Sequence, residues 1–286
     1  MKCYEFKDPN VFYKEVAPVL MKNEVINSLP LGILNALVTK PADHGFKERP
    51  FMAYIGEEHD PKLVLLMTPP NHLVLSGLDR NIEKLISIAL DYIIQNRIEF
   101  PSVIGISSIV NPFVEGCKER TGKNVKIDMS QRIYKLEKVD AIPISSGFLR
   151  VASKRDMNIV SDWITQFARE AIHEDKDETF GRERAHRGIR NQSLFVWEDS
   201  GKIVSMVSKT KPTENGITVS LVYTPQELRG KGYASSAVAA LSQQLLDEGY
   251  KYCCLYTDLT NPTSNSIYQK IGYRPLADSM VYRFGL

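Results

Sequence analysis

Two glycines in the C-terminal half of the chain stand where a phosphate group could bind. Gly230 and Gly232 follow the β-rich run Leu221–Tyr223 and precede an Ala- and Ser-rich helix. Glycines let successive backbone N–H groups approach an anion, and a helix N-terminus adds roughly half a positive elementary charge. Arg229 and Lys231 supply mobile positive charge beside them. The stretch therefore predicts an anion-binding loop.

The spacing of this loop fits neither of two common phosphate-binding motifs. A P-loop needs GxxxxGK[ST], but Lys231 is followed by Gly232. A dinucleotide-binding GxGxxG needs a third glycine where Ser235 stands, and the acidic residue that ends the next strand, Asp258, comes too late. The alternative to a phosphate site is a tight strand-to-helix turn that requires two glycines.

A short helix with clear start and stop signals lies further along the chain. Asn261 is a typical N-cap residue, Pro262 suits the first helical position, and Gly272 suits the position after the last turn. These signals predict a helix whatever its function.

Together the two stretches resemble the GNAT superfamily of N-acetyltransferases over about Gly147 to Leu286. Arg229–Ala234 matches the acetyl-CoA signature [QR]-x-x-G-x-[GA], and Asn261–Tyr273 is similar to the second motif, N-x-x-[SA]-x-x-x-Y-x-x-x-G-[FY]. The order strand, loop, helix, strand, helix also agrees.

The resemblance implies acetyl-CoA as cosubstrate and assigns its contacts. Backbone N–H groups of the loop would hold the pyrophosphate. The end of the preceding strand would splay from its neighbour, pair with the pantetheine amides and polarise the thioester carbonyl. The residues so implied are Arg229, Gly230, Lys231, Gly232, Tyr233 and Ala234 in the loop, Val222, Tyr223 and Thr224 in the strand, and Asn261 and Ser264 beside the pantetheine arm.

Tyr268 stands where the resemblance implies a general acid. A phenol with a pKa of about 10 can donate a hydrogen bond or a proton to a departing thiolate with a pKa of about 8.5. The alternative is a core tyrosine of a well-capped helix. We predict the catalytic role.

No general base is evident, although an attacking amine must be neutral. The strand 217–224 contains no carboxylate. An acidic cluster lies where the family builds its acceptor site; its members are Glu170, Glu174, Asp175, Asp177 and Glu178. We interpret it as a solvated helix end balanced by Arg182, Arg184 and Arg187. The alternative is a site for a cationic amine.

The order of elements repeats between the two halves. Asn111-Pro112 and Gly122 are matched, 150 residues later, by Asn261-Pro262 and Gly272. We predict an α/β (α+β) fold, with a mixed, largely antiparallel central sheet flanked by helices. It is GNAT-like and comprises two tandem related domains, 1–141 and 147–286, joined by the Pro- and Ser-containing segment 139–147.

The first half keeps the folding signals, the Asn111-Pro112 helix cap and the terminal Gly122, and lacks the chemical ones. Opposite the glycine loop it has only Ser76–Asn81, with no second glycine, and opposite Tyr268 it has Lys118. We therefore predict a degenerate GNAT-like N-terminal domain and one active site per chain.

Composition excludes several other classes. The 286 residues include 36 Lys and Arg against 34 Asp and Glu, so neither nucleic acid nor a membrane is an expected partner. Four cysteines and five histidines lack metal-ligand spacing, and no metal is expected. The sequence shows no signal peptide or membrane-spanning run. We expect a cytoplasmic protein.

The leading hypothesis is an acetyl-CoA-dependent N-acetyltransferase. It would transfer an acetyl group to a primary amine of a small molecule or peptide by direct attack on the thioester. The alternative is a non-catalytic acyl-CoA-binding sensor or regulatory module. The acceptor and the oligomeric state are left open.

Overall fold

The computed structural model describes residues 1–39, 48–77, 81–172 and 174–285. The chain forms two compact units, Met1–Ile133 with Leu276–Leu286, and Tyr134–Pro275. We call them unit 1 and unit 2. The segment 139–147 contains no helix or strand. The domain limits 1–141 and 147–286 stay a prediction.

Unit 1 is a sheet covered by helices on both faces. Its elements are β1 (Lys2–Phe6), α1 (Pro9–Leu20), α2 (Ser28–Thr39), β2 (Phe51–Glu57), β3 (Asp60–Met67), β4 (Leu73–Gly77), α3 (Ile82–Gln95), β5 (Ser102–Ile106), α4 (Ser107–Thr121), most of β6 (Val125–Leu136) and most of β12 (Arg274–Phe284). The strand order is β1-β2-β3-β4-β5-β12-β6. Among its recorded pairings only β4 with β5 is parallel.

The two faces of this sheet have separate cores. Apolar side chains of α3 and α4, including Leu85 and Phe113, pack with Leu65 on one face. Side chains of α1 and α2, including Phe12 and Leu34, pack on the other. Strands buried on both faces are apolar almost throughout.

One sequence expectation about unit 1 is wrong. Asn111-Pro112 does not cap a helix, because α4 begins at Ser107 and contains Pro112 in its interior. The side chain of Asn111 instead accepts a hydrogen bond of 3.0 Å from the hydroxyl of Tyr282. Gly122 does end the helix in the left-handed conformation, with φ +67°.

Unit 2 repeats this architecture. Its elements are β7 (Phe148–Val151), α5 (Met157–Ala171), α6 (Glu178–Arg190), β8 (Leu194–Asp199), β9 (Lys202–Thr210), β10 (Gly216–Tyr223), α7 (Tyr233–Asp247), β11 (Tyr252–Asp258) and α8 (Pro262–Ile271). The strand order is β11-β10-β9-β8-β7, and among the recorded pairings only β10 with β11 is parallel.

The core of unit 2 is also divided by the sheet. Leu241 of α7 and Ile271 of α8 pack with Val219 on one face, together with Tyr134 from the end of β6. On the other face Trp163 of α5 and Ala185 of α6 pack with strand side chains. The mixed, largely antiparallel sheet flanked by helices confirms the predicted fold class. No helix in the described ranges is long and apolar enough to cross a membrane.

Candidate active site

The parallel strands β10 and β11 pair over only three positions. The ladder begins at Gly216↔Tyr252 and ends at Thr218↔Cys254, although both strands continue. On its other edge β10 stays paired with β9 as far as Tyr223↔Met206. Beyond Thr218 the edge of β10 that faces β11 therefore lies outside this ladder, where an extended ligand could pair with it.

A β-bulge bends the end of β10. The register with β9 shifts between Ser220 and Tyr223, and Leu221 has φ +51°. A branched residue rarely adopts this left-handed conformation. Leu221 is held there by burial beside Trp163 and Tyr223. A bulge bends the strand, so the backbone at Val222 and Tyr223 runs in a different direction from the rest of β10.

Side chains fix the carbonyl groups at this strand end. Ser205 donates a 3.0 Å hydrogen bond to the Tyr223 carbonyl oxygen, and Arg229 Nε donates one of 2.9 Å to that of Thr224. The Thr224 hydroxyl donates to Ser205 Oγ at 2.9 Å. The end of β10 is therefore a fixed platform.

The glycine loop forms a cradle at the start of α7. Gly230 and Gly232 have φ +78° and +79°, which favour glycine. Gly232 is the N-cap of α7 and makes no side-chain cap hydrogen bond, so the first N–H groups of the helix lack that partner. A Cβ on Gly230 would meet open space, whereas one on Gly232 would lie 2.7 Å from Ser145 Oγ. This geometry fits a pyrophosphate at the helix N-terminus.

Ser145 stabilises the glycine loop and the first turn of α7 through two hydrogen bonds. Its hydroxyl donates a 2.7 Å hydrogen bond to the Lys231 carbonyl oxygen, and its N–H donates one of 2.9 Å to Ser236 Oγ. The hydroxyl of Tyr233 donates to Asp199 at 2.8 Å, and this hydrogen bond raises the pKa of Tyr233. The sequence places Ser145 in a linker, and no local signal marks it as a support for the loop.

Arg229 is not the mobile charge that the sequence suggests. Its guanidinium donates to Glu170 at 2.6 Å, and Tyr223 donates to the other oxygen of Glu170 at 3.0 Å. Gln166 Oε1 lies 2.6 Å from the same hydroxyl, so the single phenol proton is shared between Gln166 and Glu170. Arg229 is fixed because it bonds both to α5 and to the end of β10.

Ionisation strengthens this network. Desolvation opposes ionisation of Glu170, but hydrogen bonds from Arg229 and Tyr223 outweigh it and lower the pKa of the carboxyl group. Desolvation, followed by the hydrogen bond to Glu170, raises the pKa of Tyr223 to about 12. At neutral pH the carboxylate is therefore charged and the phenol keeps its proton.

The acidic cluster divides in two. Asp175 pairs with Arg169, Glu174 pairs with Lys176, and Asp177 caps α6, as expected of a solvated helix end. Glu170 departs from that interpretation because it bonds to Tyr223 and Arg229 at the end of β10.

Tyr268 lies on α8, half-buried against the same core as Val222 and Tyr233. Its ring is 6.0 Å from that of Tyr273 in an edge-to-face arrangement. Burial raises the pKa of the Tyr268 hydroxyl. A phenol that stays protonated suits a proton donor, and the packing also suits the alternative of a core tyrosine.

Asn261 and Ser264 form the start of α8. The side-chain oxygen of Asn261 accepts a 3.0 Å hydrogen bond from the Ser264 N–H, as predicted for an N-cap. Asn265 is a neighbour that sequence reasoning missed. It donates to the carbonyl oxygens of Asp258 and Asn261 at 2.9 and 2.7 Å, and it accepts from the Tyr134 hydroxyl. Asn265 thereby joins β11 to α8.

The cysteines and histidines form no site in the part of the chain that the structure describes. No group of three or more His, Cys, Asp or Glu residues there could hold a metal ion. The four thiols are free, and Cys253 and Cys254 are buried in β11. His44 and His173 lie outside the described residues, as do residues 78–80 of the segment opposite the glycine loop.

Comparisons with known proteins agree with the site. Residues 158–273 match the sequence model of the Acetyltransferase (GNAT) family, a range that contains the strand end, the cradle and α8. A search of curated protein sequences found no significant match.

Solved structures extend the likeness to the whole chain. A GNAT-family acetyltransferase from Colwellia psychrerythraea has a TM-score of 0.59 at 12% identity, covering 99% of both chains. A GCN5-related N-acetyltransferase from Sphaerobacter thermophilus has a TM-score of 0.63 at 12% identity, covering 98% of this chain and 95% of the other. A tandem GNAT protein from the clavulanic acid biosynthesis pathway has a TM-score of 0.58 at 11% identity, covering 99% of this chain and 98% of the other.

Residues 158–273 are therefore a GNAT-type acetyltransferase domain. The whole chain, including its N-terminal half, shares the fold of the tandem GNAT protein and of the other GNAT acetyltransferases to which it is similar. The predicted resemblance is confirmed.

Proposed function

We propose that the protein is an acetyl-CoA-dependent N-acetyltransferase that acetylates a primary amine. The observation that carries this proposal is the meeting of two features in one family-matched unit. The ladder of β10 with β11 ends at Thr218, and the loop that follows β10 turns through two left-handed glycines into an uncapped helix start. The edge of β10 beyond Thr218 could pair with the pantetheine amides, and the helix start after the glycines could bind the pyrophosphate.

Different residues of unit 2 would bind different parts of acetyl-CoA. N–H groups at Gly230 to Ala234 would bind the pyrophosphate, and the edge of Val222 to Thr224 would pair with the pantetheine amides. Asn261 and Ser264, at the start of α8, would contact the pantetheine arm. Acetyl-CoA supplies the activated acetyl group.

Direct transfer needs one bond formed, one broken and protons moved. The amine nitrogen attacks the carbonyl carbon, the carbon–sulfur bond breaks, and Tyr268 donates a proton to the departing sulfur. The attacking amine, which is neutral, loses one proton to water as the amide forms, and water returns a proton to the Tyr268 phenolate, which restores the phenol. Glu170 is assigned to positioning, because both of its oxygens already accept hydrogen bonds from Tyr223 and Arg229.

Thiol release tests this function directly. Purified full-length protein is mixed with acetyl-CoA and a panel of primary amines, and free CoA thiol is measured. We expect release that depends on both acetyl-CoA and an amine. If CoA binds but no amine on the panel causes release, the acyl-CoA sensor is favoured; if CoA does not bind at all, both functions are excluded.

A further inference from the structure

Three side chains at the junction of α5 and the end of β10 bring together more acceptor oxygens than there are protons to share. The Tyr223 hydroxyl lies 2.6 Å from Gln166 Oε1 and 3.0 Å from Glu170 Oε1. A phenol has one proton, so it donates to only one of these oxygens at a time. The other contact joins two oxygens with no hydrogen between them. These three groups, which we call the phenol cluster, therefore lack one hydrogen-bond donor.

Neighbouring contacts show that neither partner of the phenol supplies this proton. Gln166 Nε2 donates a 2.7 Å hydrogen bond to Asp162, so the amide presents its oxygen to the phenol. Glu170 Oε2 accepts a 2.6 Å hydrogen bond from the Arg229 guanidinium, which favours the ionised carboxylate. In the described part of the chain no further donor contacts Gln166 Oε1, Glu170 Oε1 or the phenol oxygen. The missing donor is therefore one that a ligand could bring.

The phenol cluster is reachable from solvent and is held in place. The side chain of Glu170 is 46% exposed, and Gln166 is half-buried. The ring of Tyr223 is buried and packs 6.2 Å from that of Trp163. A ligand could therefore approach the oxygens past Glu170 and would meet a phenol whose position is fixed by the core.

We propose that the phenol cluster binds a second, protonated nitrogen of the acceptor. This proposal rests on the proposed function and deepens it, because it names the acceptor as a diamine or another amine with a further cationic nitrogen. An ammonium group has three N–H donors and a positive charge, so it would supply the missing donor and face the Glu170 carboxylate. Each carboxylate oxygen has more than one acceptor site, so Glu170 can keep its contacts with Tyr223 and Arg229.

The nitrogen held here is distinct from the one that is acetylated. A carboxylate stabilises the charged form of a neighbouring amine, whereas the attacking amine must be neutral. Tyr223 also separates the two positions. Its backbone belongs to the strand end that would pair with pantetheine, and its side chain reaches α5 through Gln166 and Glu170. The two nitrogens must therefore be several bonds apart, as they are in a linear diamine.

The test compares amines that differ in one terminal group. 1,5-Diaminopentane, 5-amino-1-pentanol and hexylamine carry an ammonium, a hydroxyl and a methyl group at the same place. 1,3-Diaminopropane, 3-aminopropanol and butylamine form a shorter series. Thiol release with acetyl-CoA gives kcat and KM for each amine. In at least one series we expect kcat/KM to fall from ammonium to hydroxyl to methyl, by about tenfold or more in total, because only the ammonium brings both charge and donors.

Two variants locate the recognition on the phenol cluster. Glu170→Gln removes the negative charge, and Gln166→Leu removes the amide oxygen. Each should reduce the preference for the diamine over the methyl-terminated amine by about tenfold, chiefly through a higher KM for the diamine. Asp175→Asn is the matched control, because this carboxylate follows α5 and pairs with Arg169. It should keep the full preference.

Thermal melting without ligand separates recognition from a merely structural contact. In Glu170→Gln the new amide nitrogen can donate to the phenol oxygen while the amide oxygen still accepts from Arg229. The phenol then donates to Gln166, and every contact of the cluster has a proton. The melting temperature should therefore stay the same or rise. A fall beyond that of Asp175→Asn would show that the wild-type cluster lacks no donor, and this result would overturn the proposal.

Binding without turnover separates this proposal from the proposed function. Calorimetry with 1,5-diaminopentane and 1,3-diaminopropane is run without acetyl-CoA. If a diamine binds the wild type but not Glu170→Gln, while no amine releases thiol, the acetyltransferase assignment fails and the phenol cluster stands as a cation site. If amines release thiol but the members of each series behave alike, the acetyltransferase stands and the cation site is overturned. The cation site is also overturned if both variants keep the preference, or if no diamine binds or reacts.

Discussion

The two parallel strand pairs, β4–β5 in unit 1 and β10–β11 in unit 2, begin alike and end differently. The ladder ends at Val74 in the first pair and at Thr218 in the second. Two residues further on, each strand has a serine. Ser76 donates its hydroxyl to Asn27 within unit 1, whereas Ser220 has no partner among the described residues. The hydroxyl at this strand position is therefore satisfied within the fold in unit 1 and has no partner among the described residues in unit 2.

The helices that follow these strand pairs, α4 in unit 1 and α8 in unit 2, also differ in the groups that they carry. In unit 2 an Asn261 cap starts α8, which carries Tyr268 half-buried against the core. In unit 1 α4 starts at the end of β5, and Lys118, opposite Tyr268 in the repeat, pairs with Glu115 on the surface. Under the proposed function, the two units share a fold but only unit 2 carries the groups that the chemistry needs.

The largest expected effect comes from the cradle. Gly232→Val should weaken CoA binding by about a hundredfold or more, because a β-branched residue is strained at φ +79° and its Cβ would lie 2.7 Å from Ser145 Oγ. Calorimetry measures the affinity. Gly122→Val in unit 1, at φ +67°, is the matched control for backbone strain and should leave affinity unchanged. Thermal melting checks that both variants fold, and undiminished affinity in Gly232→Val would refute the cradle.

The next effect concerns the proton donor. Tyr268→Phe should lower kcat by about a hundredfold or more, with little change in CoA affinity, because the ring still packs but the hydroxyl is gone. Lys118→Ala, at the equivalent place in unit 1, should change neither quantity. Steady-state thiol release measures both variants. An unchanged kcat in Tyr268→Phe would favour the core-tyrosine interpretation.

The smallest effect contrasts the two serines. Ser76→Ala should lower the free energy of unfolding by about 1–3 kcal/mol, since it leaves the buried Asn27 without its donor. Ser220→Ala removes a hydroxyl that has no partner in the described structure, so stability should stay the same or rise slightly. Urea unfolding of both variants gives the comparison. Equal losses would show that Ser220 is also satisfied within the fold.

Sequence reasoning reaches the elements whose signals are local. Gly232 at the helix start, the Asn261 cap and the Gly272 stop act within one turn of chain, and the structure has all three. The same reasoning fails at Asn111-Pro112. A proline is also tolerated inside a helix when neighbouring structure supports it, and local pattern alone does not show that α4 begins earlier.

The parts that sequence misses depend on contacts between distant residues. Glu170 meets Arg229 only because α5 packs over the end of β10. Ser145 reaches Lys231 only because the segment before β7 returns to the start of α7. Leu221 takes a left-handed conformation that its own residue type disfavours, so nothing in the local sequence could announce the bulge.

The number of CoA molecules bound per chain tests the central claim most directly. Titration calorimetry of the full-length protein with CoA should give one site per chain, and Gly232→Val should abolish it. Two equivalent sites, or one site that survives Gly232→Val with undiminished affinity, would contradict the view that only unit 2 keeps the acyl-CoA cradle.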